Sequence, residues 1–248
     1  MRWNLDAPVP ARPGRMWLAI GLALGIFGFV FGVAMLFRHC GSEADARRLV
    51  RRGDVTGLIA ALNANPALLS ARDPTHRSTL LHLAVDVNQW DVATILLERG
   101  AEVDARDKYS MTPLHKAAIF NRVNLAKLLI EEHADLDVLA PKYGYILVSP
   151  LHLAAEVGAA DMVDLLAESG ANMNPQPASG PVNPSPLHLA AAKGQYAAAK
   201  ALLDHGADPA ARDRNGRTPE DWANEMQQPE LAKLLQHAIQ VRPNQDAP

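Results

Sequence analysis

Residues 109–121 read YSMTPLHKAAIFN. The block Thr112-Pro113-Leu114-His115 and the alanines after it decide the fold, because the block recurs. Leu-His stands at Leu81-His82, Leu114-His115, Leu151-His152 and Leu187-His188, spaced 33, 37 and 36 residues apart. About 18 residues after each comes a turn of small or polar residues: Gly100-Ala101, His133-Ala134, Gly170-Ala171 and Gly206-Ala207. Between block and turn lies a leucine pair, at Leu96-Leu97, Leu128-Leu129, Leu165-Leu166 and Leu202-Leu203. A period of roughly 20–50 residues predicts an array of like units, each too small to bury its own apolar face and so stacked on the next.

Each unit reads as a pair of helices. Thr112, Ser149 and Ser185 supply an N-cap oxygen, and Pro113, Pro150 and Pro186 take the first helical position, where a missing N–H costs nothing. The alanines after Leu-His keep the first helix slim, and the leucine pair fills the space behind it. Gly100, Gly170 and Gly206 fall where the second helix ends and a positive φ is needed; His133 stands there in the second copy and predicts a strained cap.

This pattern, TPLHxAAxxG…LLxxGAxxxxxD, resembles the ankyrin repeat over about residues 43–240. The resemblance implies an all-α solenoid of helix pairs with β-turn tips, of about six units. Residues 43–73 and 214–238 read as its capping units, the second with Glu220-Asp221 in place of Leu-His. It also implies that His82, His115, His152 and His188 bond to backbone turns and are structural. Stacked helices lie roughly 8–10 Å apart, too far for equivalent histidines to share one zinc.

A separate feature precedes the repeats. Residues 16–37, MWLAIGLALGIFGFVFGVAMLF, carry no charge and predict a helix of about 33 Å, enough to span a bilayer. Arg15 and Arg38 bracket the run and Trp17 sits at its edge. It exceeds a signal-peptide apolar region and ends without a small-residue cleavage site, so an uncleaved single-pass anchor is expected. Gly21, Gly25, Gly28 and Gly32 fall on one face of that helix and predict a helix–helix contact, such as a transmembrane dimer. Residues 1–15 form a short tail before the anchor, and the proline-rich residues 241–248 are expected to be disordered. Arg12 and Arg15 against Arg38 lean towards a cytoplasmic N-terminus, hence an inner-membrane protein with a periplasmic repeat domain.

Composition narrows the function. The chain is 48% apolar, with a net charge of −3 and no strong basic patch, which argues against nucleic acid. A single cysteine, Cys40, excludes an internal disulfide and a cysteine-based zinc site. Arginine (17) outnumbers lysine (7), a bias that suits a GC-rich bacterial genome. No catalytic, phosphate-binding or metal motif occurs, so neither an enzyme nor a cofactor is expected.

Function is therefore expected at a surface that binds protein. Mapped onto the resemblance, the variable positions after each block are Asp86-Val87, Ile119-Phe120, Glu156-Val157 and Ala192-Lys193. Ile119 and Phe120, flanked by Val87 and Val157, predict an apolar row on the concave face. Tyr109, Met111, Tyr143 and Tyr145 add aromatic and apolar anchors at the tips, the residue types that dominate interface hot spots. The tip at 138–150 gains four residues; the competing reading is that it folds back and buries Ile146 and Leu147. Membrane-tethered ankyrin proteins of bacteria look similar in layout. That resemblance implies capture of one partner near the bilayer, as an immunity protein neutralising a secreted toxin, with envelope defence or a membrane-complex scaffold as alternatives.

Overall fold

In the computed structural model, residues 42–142, 146–176 and 183–241 are described. The 16–37 run, with Gly21, Gly25, Gly28 and Gly32, lies outside them, as do Tyr143, Tyr145 and the tail after Val241. Among the described residues no helix is long and apolar enough to cross a membrane.

The described chain is a succession of helix pairs. They are α1 Glu43–Arg52 with α2 Val55–Ala64, α3 Leu80–Asp86 with α4 Trp90–Glu98, and α5 Pro113–Ile119 with α6 Val123–Glu131. Then follow α7 Pro150–Val157 with α8 Ala160–Glu168, α9 Pro186–Lys193 with α10 Tyr196–Asp204, and α11 Pro219–Glu225 with α12 Pro229–Val241. A short 3₁₀ turn, Pro66–Leu69, follows α2. First helices pack on first helices of neighbouring units, and second on second, in two layers. Among the described residues the main contacts between helices run between neighbours in the stack, the mark of a solenoid.

Capping fixes where each inner helix starts. Thr79, Thr112, Ser149, Ser185 and Thr218 are N-caps in extended conformation, each in a reciprocal box with the residue three further on. Proline occupies the first turn in the last four. The alanines behind these caps, Ala84, Ala117, Ala118, Ala154, Ala155, Ala190 and Ala191, have no solvent exposure. Their small volume is what lets the inner layer close. From the outer layer Leu96, Leu129, Leu166 and Leu202, all fully buried, fill the gap between the two helices of each unit.

The outer helices α4, α6, α8 and α10 each end in a left-handed residue: Gly100 (φ 84°), His133 (φ 64°), Gly170 (φ 92°) and Gly206 (φ 87°). His133 thus adopts the backbone that glycine adopts in its counterparts, where a β-carbon is unfavourable.

The lengthened tip after α6 is a hairpin. Strands β1 Ala140–Lys142 and β2 Ile146–Val148 pair antiparallel, with Ala140 opposite Val148 and Lys142 opposite Ile146. Alternation along β2 buries Ile146 and Val148 and leaves Leu147 half-buried. Buried Asn183, from the next tip, accepts from the Leu147 amide at 3.1 Å and donates back to the Leu147 carbonyl. Gln176 in turn clamps Asn183, accepting from its amide at 2.7 Å and donating to its carbonyl at 3.0 Å. The base of this tip therefore leans on its neighbour, as the competing expectation held for Ile146.

Candidate protein-binding face

Of all repeated polar residues, the four histidines are the ones whose pattern invites a chemical role, and each is buried. His82, His115, His152 and His188 sit at the third helical position. Their Nδ1 atoms lie 3.0–3.3 Å from the N-cap amides of Thr79, Thr112, Ser149 and Ser185. Their Nε2 atoms reach forward to carbonyls of the next unit: Met111 at 3.0 Å, Val148 at 3.1 Å, Pro184 at 2.8 Å and Arg217 at 3.0 Å. A carbonyl cannot donate, so Nε2 carries the proton and Nδ1 accepts. Burial pushes His115 and His152 down to about 4, against the carbonyl bonds that favour the charged form. Burial lowers His82 and His188 as well. These are neutral fasteners between units. Asp221 takes the place of histidine in the last described unit, accepting from the Thr218 amide at 2.7 Å.

Among the described residues no group of three or more His, Cys, Asp or Glu is placed to hold an ion. Asp107 and Asp213, whose carboxylates are almost fully buried, are spent on backbone turns. Asp107 Oδ1 accepts from the Tyr109 and Met111 amides, and Asp213 Oδ1 from those of Asn215 and Arg217. Burial would raise Asp213, but the Arg217 amide, the Trp222 indole and the Asn215 amide outweigh it and hold its carboxyl below the usual range.

What remains is shape and surface. The ends of successive inner helices present Val87, Phe120, Val157, Lys193 and Met226 at equivalent positions. Phe120 is 45% exposed, Val157 43% and Met226 49%. Val87 and Ile119 are half-buried and pack partly on the core. Tyr109, 50% exposed, stands on a tip, with Lys108 Nζ 4.9 Å from its ring centre. Met111, half-buried, closes the same turn. The whole of α5, about 10 Å of helix, separates Met111 from Phe120. The expected anchors therefore form two groups, one on the tip and one along the helix ends.

Between them, over the first three units, lies a polar groove of about 440 Å³ lined by Arg47, Arg51, Asp73, His76, Asp86 and Lys116, among others. Lys116 Nζ is 3.6 Å from Asp107 and 4.0 Å from Asp86. Burial raises Asp86 above the usual carboxylate range, opposed by Lys116. Sequence reasoning missed this groove and Met226. The groove joins three units and has no linear motif. Met226 was findable, because it follows the last inner helix where Phe120 follows α5. Trp90 and Tyr196, each about half exposed at the start of an outer helix, lie off this row.

Comparison with known proteins agrees with the architecture. The model of the family "Ankyrin repeats (3 copies)" matches residues 35–140, 81–177 and 151–245. The chain is 28% identical over 160 residues to an ankyrin repeat protein, YahD, of Escherichia coli (strain K12), covering 63% of this chain and 78% of that one. It is 33% identical over 102 residues to the NF-kappa-B inhibitor alpha of Sus scrofa, covering 40% of this chain and 32% of that one. The E3 ubiquitin-protein ligase XB3 of Oryza sativa subsp. japonica is 36% identical over 78 residues, 32% of this chain and 17% of the ligase. The chain thus spans about a sixth of that ligase's length. Ankyrin repeats are in general non-enzymatic protein-interaction modules, and this chain belongs to the ankyrin-repeat family.

Proposed function

We propose that this protein captures one protein partner on the concave face of its solenoid, close to a membrane that holds it through residues 16–37. The observation that carries the reading is the exposed row of Phe120 and Val157 at the ends of inner helices whose interior polar groups are spent on structure. Apolar side chains left in water beside a charged groove are the usual make-up of an interaction site. The match to an inhibitor protein supports capture as a mode of action. The uncharged run at 16–37 supports an anchor, and the arginines beside it lean towards an exported solenoid in the inner membrane.

A membrane-complex scaffold is the second reading, favoured by the single-face stripe of Gly21, Gly25, Gly28 and Gly32. Co-purification of the full chain from membranes tests both. Tyr109→Ala with Phe120→Ala should release the partner if the concave face captures it. Gly25→Leu with Gly28→Leu should release it instead if the membrane helix does. A toxin-like enzyme among the released proteins would make the chain an immunity protein; a resident membrane component would make it a scaffold. A partner retained by all four substitutions refutes both readings.

A further inference from the structure

We infer that the open face of α1 seats on anionic headgroups of the bilayer through Arg48, Arg51 and Arg52, standing the solenoid end-on to the membrane. The inference rests on the anchor reading above. At about 100° per residue the three arginines fall within about 100° of arc, opposite Ala46 and Val50, which are buried. Helix α1 opens the described stack and packs mainly on α2 and α3, so the arginine face lies at the end of the solenoid. All three arginines are exposed. Arg48 meets Asp45 at 3.3 Å in a pair that water screens, and neither Arg51 nor Arg52 forms an ion pair with a described residue. Arg51 also borders the polar groove. Arg47, by contrast, is buried and engaged, 3.1 Å from Glu43 and donating to the Ser78 carbonyl at 2.6 Å.

Chain length brings this face to the membrane. Residues 38–42 alone join the uncharged run at 16–37 to Glu43, and even fully extended they hold the start of α1 within roughly 20 Å of that run. Arg38 brackets the run, so with Arg48, Arg51 and Arg52 a basic cluster follows it directly. Clusters of about four to eight basic residues beside a membrane helix bind acidic lipid. Charge elsewhere points the same way. The ends of α4 and α6 and the turns after them expose Glu98, Glu102, Glu131, Glu132, Asp135 and Asp137 against Arg99 and Arg106. An anionic surface attracts α1 and repels that edge, which orients the solenoid.

The test places the full chain in nanodiscs of phosphatidylcholine, alone or mixed with phosphatidylglycerol, each carrying a headgroup quencher. A fluorophore sits on Thr56→Cys in a Cys40→Ser background; Thr56 is exposed in the first turn of α2. The tether is the same in both discs, so their difference reads the arginines. Quenching should be strong only with phosphatidylglycerol and should be released by high salt. Each arginine near an anionic surface shifts the docked-to-free ratio about fivefold, so Arg48→Gln/Arg51→Gln/Arg52→Gln should lower it roughly a hundredfold. Arg48→Lys/Arg51→Lys/Arg52→Lys should retain it, with helix content of both variants unchanged by circular dichroism. Equal quenching in both discs, quenching that survives the glutamine variant, or its loss in the lysine variant would overturn the seat and leave the anchor standing. A chain that does not enter the discs would overturn the anchor reading and the seat with it.

Discussion

Mild acid should loosen this solenoid through its histidines, and the size of the effect follows from two of them. His115 and His152 hold values of about 4 in the fold, against about 6.5 in an unfolded chain. Above pH 6.5 both are neutral in either state and the fold bears no cost. Below it the unfolded chain binds protons that the folded chain refuses, so stability falls as pH drops, until the folded values are reached near pH 4. At pH 5 each unfolded histidine lies about 1.5 pH units below its own value, which costs the fold about 2 kcal/mol per residue and about 4 kcal/mol for the pair. His82 and His188, lowered by burial, add in the same direction. Asp86 and Asp104, raised by burial, oppose it. Urea unfolding followed by circular dichroism at pH 7.5, 6.5, 5.5 and 5.0 should show a slope that steepens below pH 6.5. In His115→Gln/His152→Gln, where glutamine keeps a capping-box residue but cannot titrate, most of the steepening should vanish. An unfolding free energy flat from pH 7 to 5, or an unchanged slope in the double variant, would refute the reasoning.

Three further outcomes follow from packing and backbone. His133→Gly removes a β-carbon from a left-handed residue and should stabilise the fold by about 1 kcal/mol, read as a higher melting temperature. Ala154→Leu forces extra volume into a fully buried site of the inner layer and should cost about 1–3 kcal/mol in urea unfolding. Asn183→Ala strips both partners from the Leu147 backbone and should cost about 1–3 kcal/mol, with faster amide exchange along Ile146–Val148 before any loss elsewhere.

The repeat period exposed most of the fold because every unit repeats the same local solution. Thr112-Pro113 announced an N-cap followed by a first-turn proline, and the helix starts there. Register within the outer helices was less legible. The leucine pairs at 128–129 and 96–97 look equivalent, yet by distance from the turn residue Leu129, not Leu128, corresponds to Leu96. A doublet does not say which member faces inward; position relative to the left-handed cap does. The tip at 138–150 could not be read because its anchor is remote. Asn183, 36 residues past Leu147, fixes it from the next unit. For the binding face, Phe120 and Val157 were readable as apolar residues at variable positions. The separation of Tyr109 from them was not, since it depends on α5 lying between. The unpartnered Asp86 oxygen depends likewise on where α5 carries Lys116.

Capture on the concave face is tested most directly by site-specific photo-crosslinking of the full-length chain in intact cells. A photoreactive residue would replace Phe120 or Val157 on the row, and Lys127 or Lys200 on the outer helices. Protein capture by this face predicts one shared cross-linked species from Phe120 and Val157 and none from the outer positions. Cross-links arising only from Lys127 or Lys200, or none from any of the four, would contradict it.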